Sequence, residues 1–379
     1  MTDVLLPSAT LGMLGGGQLG QMFALSARVL GYQVIVLEPD PHSPAGQIAD
    51  QHIQAAYDDE AALKQFAAQC DVITTEFENI PAHVLNLLAE SCPVRPSAFA
   101  VEKAQDRMVE KAFIQSCNLL PVPYADIHSE ADLATALKTV QLPAILKTAR
   151  FGYDGKGQIV IHNEEELNAA FNSLGKVACV LEQQIDLALE ISVVLARNAA
   201  GESQCFPVAE NIHKNGILYQ SIVPARVDAN IAEAAQVAAQ RIADKLDYIG
   251  VMAVEFFVTK QGALLVNEIA PRTHNSGHYT QDACVTSQFE QQLRMICNLP
   301  FGDTRLLSPV VMTNLLGDVW GDSQPNWDIL LADSNSKLHL YGKKEARIAR
   351  KMGHFNTLAD DVEQAKQKAD AIMQGLTPC

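Results

Sequence analysis

Glu255 and Glu268 sit in two apolar runs, Val251-Met-Ala-Val-Glu-Phe-Phe-Val258 and Ala263-Leu-Leu-Val-Asn-Glu-Ile-Ala270, joined by Thr259-Lys-Gln-Gly262. Branched and aromatic residues on both sides of a glycine-containing turn predict a β-hairpin. A turn centred between Gln261 and Gly262 places Glu255 opposite Glu268. Two carboxylates at one cross-strand position repel each other, and apolar neighbours worsen the repulsion by lowering the local dielectric. A divalent cation between them removes the conflict. Mg2+ favours carboxylate oxygens and keeps coordination positions open for substrate phosphates. Asn267 offers one further, neutral oxygen. The alternative is two glutamates on a solvated sheet face.

Lys147-Thr-Ala-Arg-Phe-Gly-Tyr-Asp-Gly-Lys-Gly-Gln158 closes an apolar strand with a lysine and runs into a loop containing Gly152, Gly155 and Gly157. Such a loop can fold over phosphates, with Lys147 and Lys156 as point charges. No GK[ST] leads into a helix, so it is not a Walker loop. Tyr153 can stack and Asp154 can accept a proton; an ordinary hairpin turn is the alternative. Gly15-Gly-Gly-Gln-Leu-Gly20 follows a strand and opens a helix, which suits a phosphate or small substrate at the helix N-terminus. Helix-end geometry alone also accounts for those glycines. Glu38 stands where a ribose-contacting acid would, but Pro39-Asp-Pro-His-Ser-Pro44 does not resemble a dinucleotide pocket. Val180-Leu-Glu-Gln-Gln-Ile185 reads as a connecting strand along which an adenine can pair with backbone groups. Glu182 would accept from the exocyclic amine and Glu190 would take ribose hydroxyls; each alone also reads as a surface glutamate.

Pro271-Arg-Thr-His-Asn-Ser-Gly-His-Tyr279 follows directly on the acidic strand and concentrates polar groups where a pocket wall belongs. Further on, Lys343 and Arg350, with Arg347 and Lys351, make a basic patch in an acidic chain. It suits a 5′-phosphate, with arginine as a bidentate partner, or else is a solvated basic loop. His213 lies between polar residues and either caps a nucleotide or sits on the surface.

The elements that must position these residues fall into three regions. Thr10–Leu14, Tyr32–Glu38 and Asp71–Phe77 read as strands, with helices over 21–30 and 59–70, which predicts a parallel, Rossmann-like sheet. Ser91-Cys-Pro-Val-Arg-Pro96 looks like a boundary, and the expected first domain is 1–105. An α+β region over 106–298 follows, with strands near 144–147, 159–161 and 177–182. From 299 to 379 the strands near 310–315 and 337–341 and a helix over 360–373 predict a small C-terminal domain.

The chain has 379 residues, 48% hydrophobic and 19% charged, with a formal net charge of −16. That length supports two or three domains with ample core. The charge argues against broad nucleic-acid binding and against an anionic membrane surface. No apolar run reaches membrane-spanning length, and the first residues lack a signal-peptide pattern, so a cytoplasmic protein is expected. Eight scattered cysteines without a CxxC pair read as reduced structural thiols.

The lysine strand, glycine loop, E-x-x-[IV] linker and acid/Asn-Glu hairpin, in this order, resemble the ATP-grasp superfamily. GGGQLG, FGYDGKGQ, NEIAPRTHNSGHYT and YGKKEARIARKMGH resemble, over essentially the whole chain, its branch that carboxylates aminoimidazole ribonucleotide in purine biosynthesis. The resemblance implies an ATP-grasp domain between a Rossmann-like pre-ATP-grasp domain and a C-terminal domain. It implies ATP contacts from Arg107, Lys147, Gly152 to Gln158, Glu182, Gln183, Gln184, Ile185, Glu190, His213, Asn267 and Glu268. Mg2+, with Mn2+ as a substitute, would lie on Glu255 and Glu268. Tyr153, Asp154, Arg272, His274, Asn275, Ser276, Lys343 and Arg350 would surround the ribonucleotide, completed by Gln18, Leu19 and Glu76. In the implied reaction bicarbonate attacks ATP to give carboxyphosphate, Asp154 steers the amine proton, Arg272 holds the anion, and closure of 151–157 excludes water. A homodimer and a functional link to a mutase come with the same resemblance. The competing readings are a formate-using glycinamide ribonucleotide enzyme, a non-catalytic nucleotide sensor and a Rossmann dehydrogenase.

Overall fold

Residues 3–152, 156–321 and 323–376 are described in the computed structural model. The first four strands are short apolar runs: β1 (Thr10–Leu14), β2 (Gln33–Leu37), β3 (Gln51–Ile53) and β4 (Val72–Thr75). They pair in parallel in the order β3-β2-β1-β4. Strands with a continuous apolar run, such as Val34-Ile-Val-Leu37 of β2, all buried, need both faces covered. Helices Gln18–Val29, Glu60–Ala67 and Ala82–Ala89 lie in the same region of the chain. The Rossmann-like expectation therefore holds. The added strand, β3, is only Gln-His-Ile and carries no periodic signal.

A second, antiparallel sheet contains β5 (Tyr124–Ile127), β6 (Ala144–Thr148), β7 (Gln158–Ile161) and β8 (Cys179–Gln183), ordered β5-β8-β6-β7. Leu146, Ile161 and Leu181 pack with Leu133, Leu167 and Phe171 from helices Leu133–Thr139 and Glu164–Ser173.

The largest sheet has nine strands. They are β9 (Leu187–Arg197), β10 (Ser203–Cys205), β11 (Ala209–Lys214), β12 (Ile217–Val223), β13 (Gly250–Thr259), β14 (Leu264–Ala270), β15 (Val310–Leu316), β16 (Ser336–Leu340) and β17 (Lys351–Leu358). The order is β14-β13-β9-β11-β12-β15-β17-β16, with β10 on β9. The strands after residue 300 thus do not form a separate sheet. β15 pairs with β12 through Gln220↔Thr313 and covers an edge that would otherwise be open. β17 has no counterpart in the sequence reading because its interior positions His354, Asn356 and Thr357 are polar yet fully buried. Helix Gln288–Ile296 carries Phe289, Leu293 and Ile296 into the core around Phe23 and Val36, joining the first region to the second.

Among the described residues, no helix is long and apolar enough to cross a membrane. The seven cysteines within them are free thiols.

Candidate active site

The β13–β14 hairpin closes through Gly262, whose φ of +80° suits the turn. From the turn outward the pairs are Val258↔Leu264 and Phe256↔Val266. Continued unbroken, that register would set Glu255 against Asn267. A bulge between Glu255 and Phe256 shifts it by one, so Glu255 pairs with Glu268. Asn267 is the extra residue, and its Nδ2 lies 3.3 Å from Glu255 Oε2. Burial, then the charge of Glu268, pushes the Glu255 carboxyl up to about 7. A part-buried carboxylate pair with that repulsion is a donor set suited to a divalent cation. Among the described residues no group of three or more His, Cys, Asp or Glu side chains is placed to hold a metal. The protein would supply two carboxylates, and phosphate oxygens and water the remaining positions.

Helix Arg107–Ser116 lies under this hairpin. Asp106 caps it, and the Arg107 N–H donates to Ala149 O at 2.9 Å, fixing the start of the β6–β7 loop. Arg107 Nη1 reaches Glu268 Oε2 at 3.4 Å. One turn on, Glu110 Oε1 accepts from the Ile269 N–H at 2.6 Å. Burial and the charge of Glu268 raise Glu110 to about 8, despite Arg107 and Lys111 nearby. Lys111, with no exposed surface, lies 3.0 Å from Glu182 Oε1. Lys147 Nζ lies 2.6 Å from the other oxygen. Burial alone would raise Glu182; the charges of Lys147 and Lys111 outweigh it and hold the carboxyl at about 2. Its carboxylate is therefore held between two lysines. The N–H groups of Gln183 and Gln184 donate to the carbonyls of Pro123 and Pro143, which removes them as base-pairing donors.

Lys147 faces Gln158 across β6 and β7, with Gly157 returning the chain to Thr148. Gly152 lines a small cavity with Glu78, Gln105, Arg107, Glu110 and Glu268. Lys156 is exposed. Tyr153, Asp154 and Gly155 lie outside the described residues. Glu190 and His213 meet each other, Oε2 to Nδ1, at 2.8 Å. Burial disfavours charge on His213, but the hydrogen bond and charge of Glu190 prevail and raise its pKa.

Arg272 is buried beside the same cavity and donates from Nε to the Glu78 carboxylate. Burial opposes its charge, and Glu78 more than restores it. His274 Nε2 stands 3.5 Å from Glu255 Oε1, Ser276 is fully buried, and both amide atoms of Asn275 are buried without a protein partner. Lys343 Nζ donates to Lys351 O at 2.8 Å, and Arg350 Nη1 to Glu345 O at 3.0 Å. Arg347 differs from the expected patch, since it pairs with Glu345 on the surface at 2.6 Å.

The chain matches three family models in series: a ribonucleotide synthetase pre-ATP-grasp domain over 8–105, an ATP-grasp domain over 112–289 and a phosphoribosylaminoimidazole carboxylase C-terminal domain over 310–368. It is 44% identical over 375 residues to the N5-carboxyaminoimidazole ribonucleotide synthase of Bacillus subtilis (strain 168), covering 99% of this chain and 96% of that one. The chain belongs to the N5-carboxyaminoimidazole ribonucleotide synthase family. A solved ADP complex of such a synthetase superposes with a TM-score of 0.92 at 44% identity, over 98% of both chains. The synthase from Aspergillus clavatus, in complex with ADP and aminoimidazole ribonucleotide, does so with 0.91 at 29% identity, over 98% and 99%.

The first glycine turn departs from the expectation of an open phosphate site in this synthase fold. Gly16 N–H donates to Glu38 Oε2 at 2.9 Å, Gly17 N–H to Glu76, and Gly20 N–H to Glu76 Oε2 at 2.7 Å. The helix N-terminus beside Gln18 and Leu19 is thus capped from inside by a carboxylate. Glu76 is buried, and desolvation raises its pKa against the pull of those N–H groups. A dinucleotide pyrophosphate would meet these carboxylates, which disposes of the dehydrogenase reading. Three charged site residues were missed in the sequence: Glu78, Glu110 and Lys111. A signal existed for two of them, because 107, 110, 111 and 114 share one helix face and Ile114 on it is core.

Proposed function

We propose that the chain performs its family's reaction in the cleft shared by β13–β14, the β6–β7 loop and helix Arg107–Ser116. The reaction is ATP-dependent carboxylation of 5-aminoimidazole ribonucleotide by bicarbonate, giving N5-carboxyaminoimidazole ribonucleotide in purine biosynthesis. The chain is therefore an ATP-dependent C–N ligase. The observation that carries the placement is Glu255 opposite Glu268, beside a lysine-lined carboxylate.

ATP lies with its phosphates toward Lys147, Lys156, Arg107 and the Gly152–Gln158 loop. Its base runs along 182–185, where Ile185 and the strand carbonyls take the pairing role that the Gln183 and Gln184 N–H groups cannot. Glu190 and His213, joined to each other, face the ribose. Glu255, Glu268 and Asn267 would hold Mg2+, or Mn2+ in its place; bound there, the cation supplies charge neutralisation on phosphoryl oxygens. Arg272, oriented by Glu78, faces the anion formed when a bicarbonate oxygen displaces ADP from the γ-phosphorus. The ribonucleotide amine then attacks the carboxyl carbon, phosphate leaves, and a carbamate remains. Asp154 steers the amine proton, and Tyr153 is assigned to ribonucleotide binding. His274, Asn275 and Ser276 form one wall of this part of the cleft, Gln18, Leu19 and Glu76 the other, and Lys343 and Arg350 take the 5′-phosphate. A cytoplasmic homodimer that hands its product to a mutase completes the reading.

The test is a coupled ADP-release assay with the ribonucleotide and bicarbonate omitted in turn. Sustained ADP release requires both. Equal release with formate in place of bicarbonate would overturn the reaction.

A further inference from the structure

Three buried polar residues near Glu255, Ser192, Asn211 and Ser221, have no part in the reading above, and they connect through Ser276 to His274. His274 begins the chain. Its Nδ1 lies 3.3 Å from the Ser276 N–H and 2.9 Å from Ser276 Oγ. A backbone N–H can only donate, so Nδ1 presents a lone pair and the ring proton of a neutral imidazole must sit on Nε2. Nε2 is the atom that faces Glu255 Oε1. Ser276 Oγ accepts from Ser192 Oγ at 2.7 Å, so its own proton is free to go to Nδ1. Ser192 Oγ accepts from Asn211 Nδ2 at 2.9 Å, and Asn211 Oδ1 accepts from Ser221 Oγ at 2.8 Å.

Each hydroxyl has one proton, so every donation fixes the direction of the next. The strand register explains why these groups meet. Ser192 pairs with Glu255 between β9 and β13, and Asn211 with Ser221 between β11 and β12. Ser192, Asn211 and Ser221 therefore lie on the face of the sheet that carries Glu255, and Ser276 meets them from the turn Asn275–Gly277. Ser192, Ser221 and Ser276 are at most 1% exposed, so no solvent competes for their bonds.

We infer that Ser221, Asn211, Ser192 and Ser276 are positioning residues, forming a one-way hydrogen-bond chain that locks His274 as the Nε2-protonated tautomer and aims its N–H at Glu255. The consequence rests on the reading of Glu255 as a cation-binding carboxylate. A neutral donor on Oε1 and the Asn267 amide on Oε2 orient that carboxylate without cancelling the charge a cation needs. The Ser276 hydroxyl is spent inward, so Ser276 does not hold the ribonucleotide through it.

The experiment is 15N spectroscopy of the full chain labelled at histidine, with the His274 signals assigned by their loss in His274→Asn. The wild type is expected to show pyrrole-type Nε2 and pyridine-type Nδ1. Ser192→Ala should broaden or mix these signals and lower kcat by about tenfold, roughly 1.4 kcal/mol, with the ribonucleotide KM unchanged. Ser192→Thr, which keeps the hydroxyl, should restore both. Asn211→Asp, equal in size but unable to donate, should act like Ser192→Ala. An Nδ1-protonated or doubly protonated His274 in the wild type, or a His274 spectrum unmoved by Ser192→Ala and Asn211→Asp, overturns the chain. Mg2+-ADP titration of the wild type tests the other reading separately. The expected tautomer without Mg2+ binding removes the cation role of Glu255 and leaves the hydrogen-bond chain standing.

Discussion

Glu255 faces Glu268 across the β13–β14 hairpin because Asn267 bulges out of the ladder between them. The turn alone would have paired Glu255 with an amide. The bulge brings two acids into apposition, and the site's pH behaviour and the proposed cation binding follow from it.

Burial and the charge of Glu268 push the Glu255 carboxyl up to about 7, from an ordinary 4.5. Between those values the folded chain holds a proton that the unfolded chain lacks, so this group makes the metal-free protein less stable as pH rises through that window. Glu110, raised to about 8, acts in the same direction. Mg2+-ADP should flatten the slope, and its affinity should fall by up to about tenfold per unit as pH drops below 7. Thermal melts with and without Mg2+-ADP, and calorimetric titrations between about pH 5.5 and 8.5, check both parts. Because the buried His274, His278 and His354 act in the opposite direction, the comparison is with Glu255→Gln, and a wild-type slope no more negative than that variant's would reverse the sign argued here.

Glu182 holds a buried double pair with Lys147 and Lys111. Lys111→Met should destabilise the fold by about 3–5 kcal/mol, because a buried carboxylate loses one of two cations. Lys111→Met with Glu182→Met should recover most of that loss, since no charge is then stranded. Urea unfolding of the single and double variants is the measurement, and equal midpoints for Lys111→Met and wild type would contradict it.

Arg272 takes its orientation from Glu78, whose carboxyl stays below the usual range although burial opposes this, because Arg272 lies against it. Arg272→Lys should lower kcat by about 10²-fold, as an ammonium cannot reproduce the planar fork. Glu78→Gln, which leaves the guanidinium in place but less firmly oriented, should cost about tenfold. Steady-state kinetics on variants with unchanged circular dichroism decide this, and full activity in Arg272→Lys would remove the residue from the chemistry.

Gly317 seats the basic loop that carries Lys343 and Arg350. Its N–H donates to Arg350 O at 2.9 Å, and a Cβ at 317 would lie 2.0 Å from Arg347 O. That neighbour is backbone, so Gly317→Ala must push the loop outward. The ribonucleotide KM should rise about tenfold, near 1.4 kcal/mol, while the ATP KM stays within about twofold. Lys343→Ala should show the same split. Equal rises in both constants would place the 5′-phosphate elsewhere.

Much of this was legible along the chain because local patterning sufficed. Period-two and apolar runs marked β1, β2, β4, β6, β13 and β14 and the hairpin between the last two. The turn is centred on Gln261 and not between Gln261 and Gly262, so it is the bulge at Asn267 that sets the acids opposite. What sequence could not carry were contacts made at long range. Glu76 and Glu38 fill the first glycine turn from strands far along the chain. Lys111 reaches Glu182 from another element. β17 hides its burial behind His354 and Asn356. The chemistry of the residues is thus a property of their types and spacing. Which carboxylate meets a lysine, which closes a helix end and which is left facing its own kind depends on register and packing, because each is settled by the side chain that arrives opposite it.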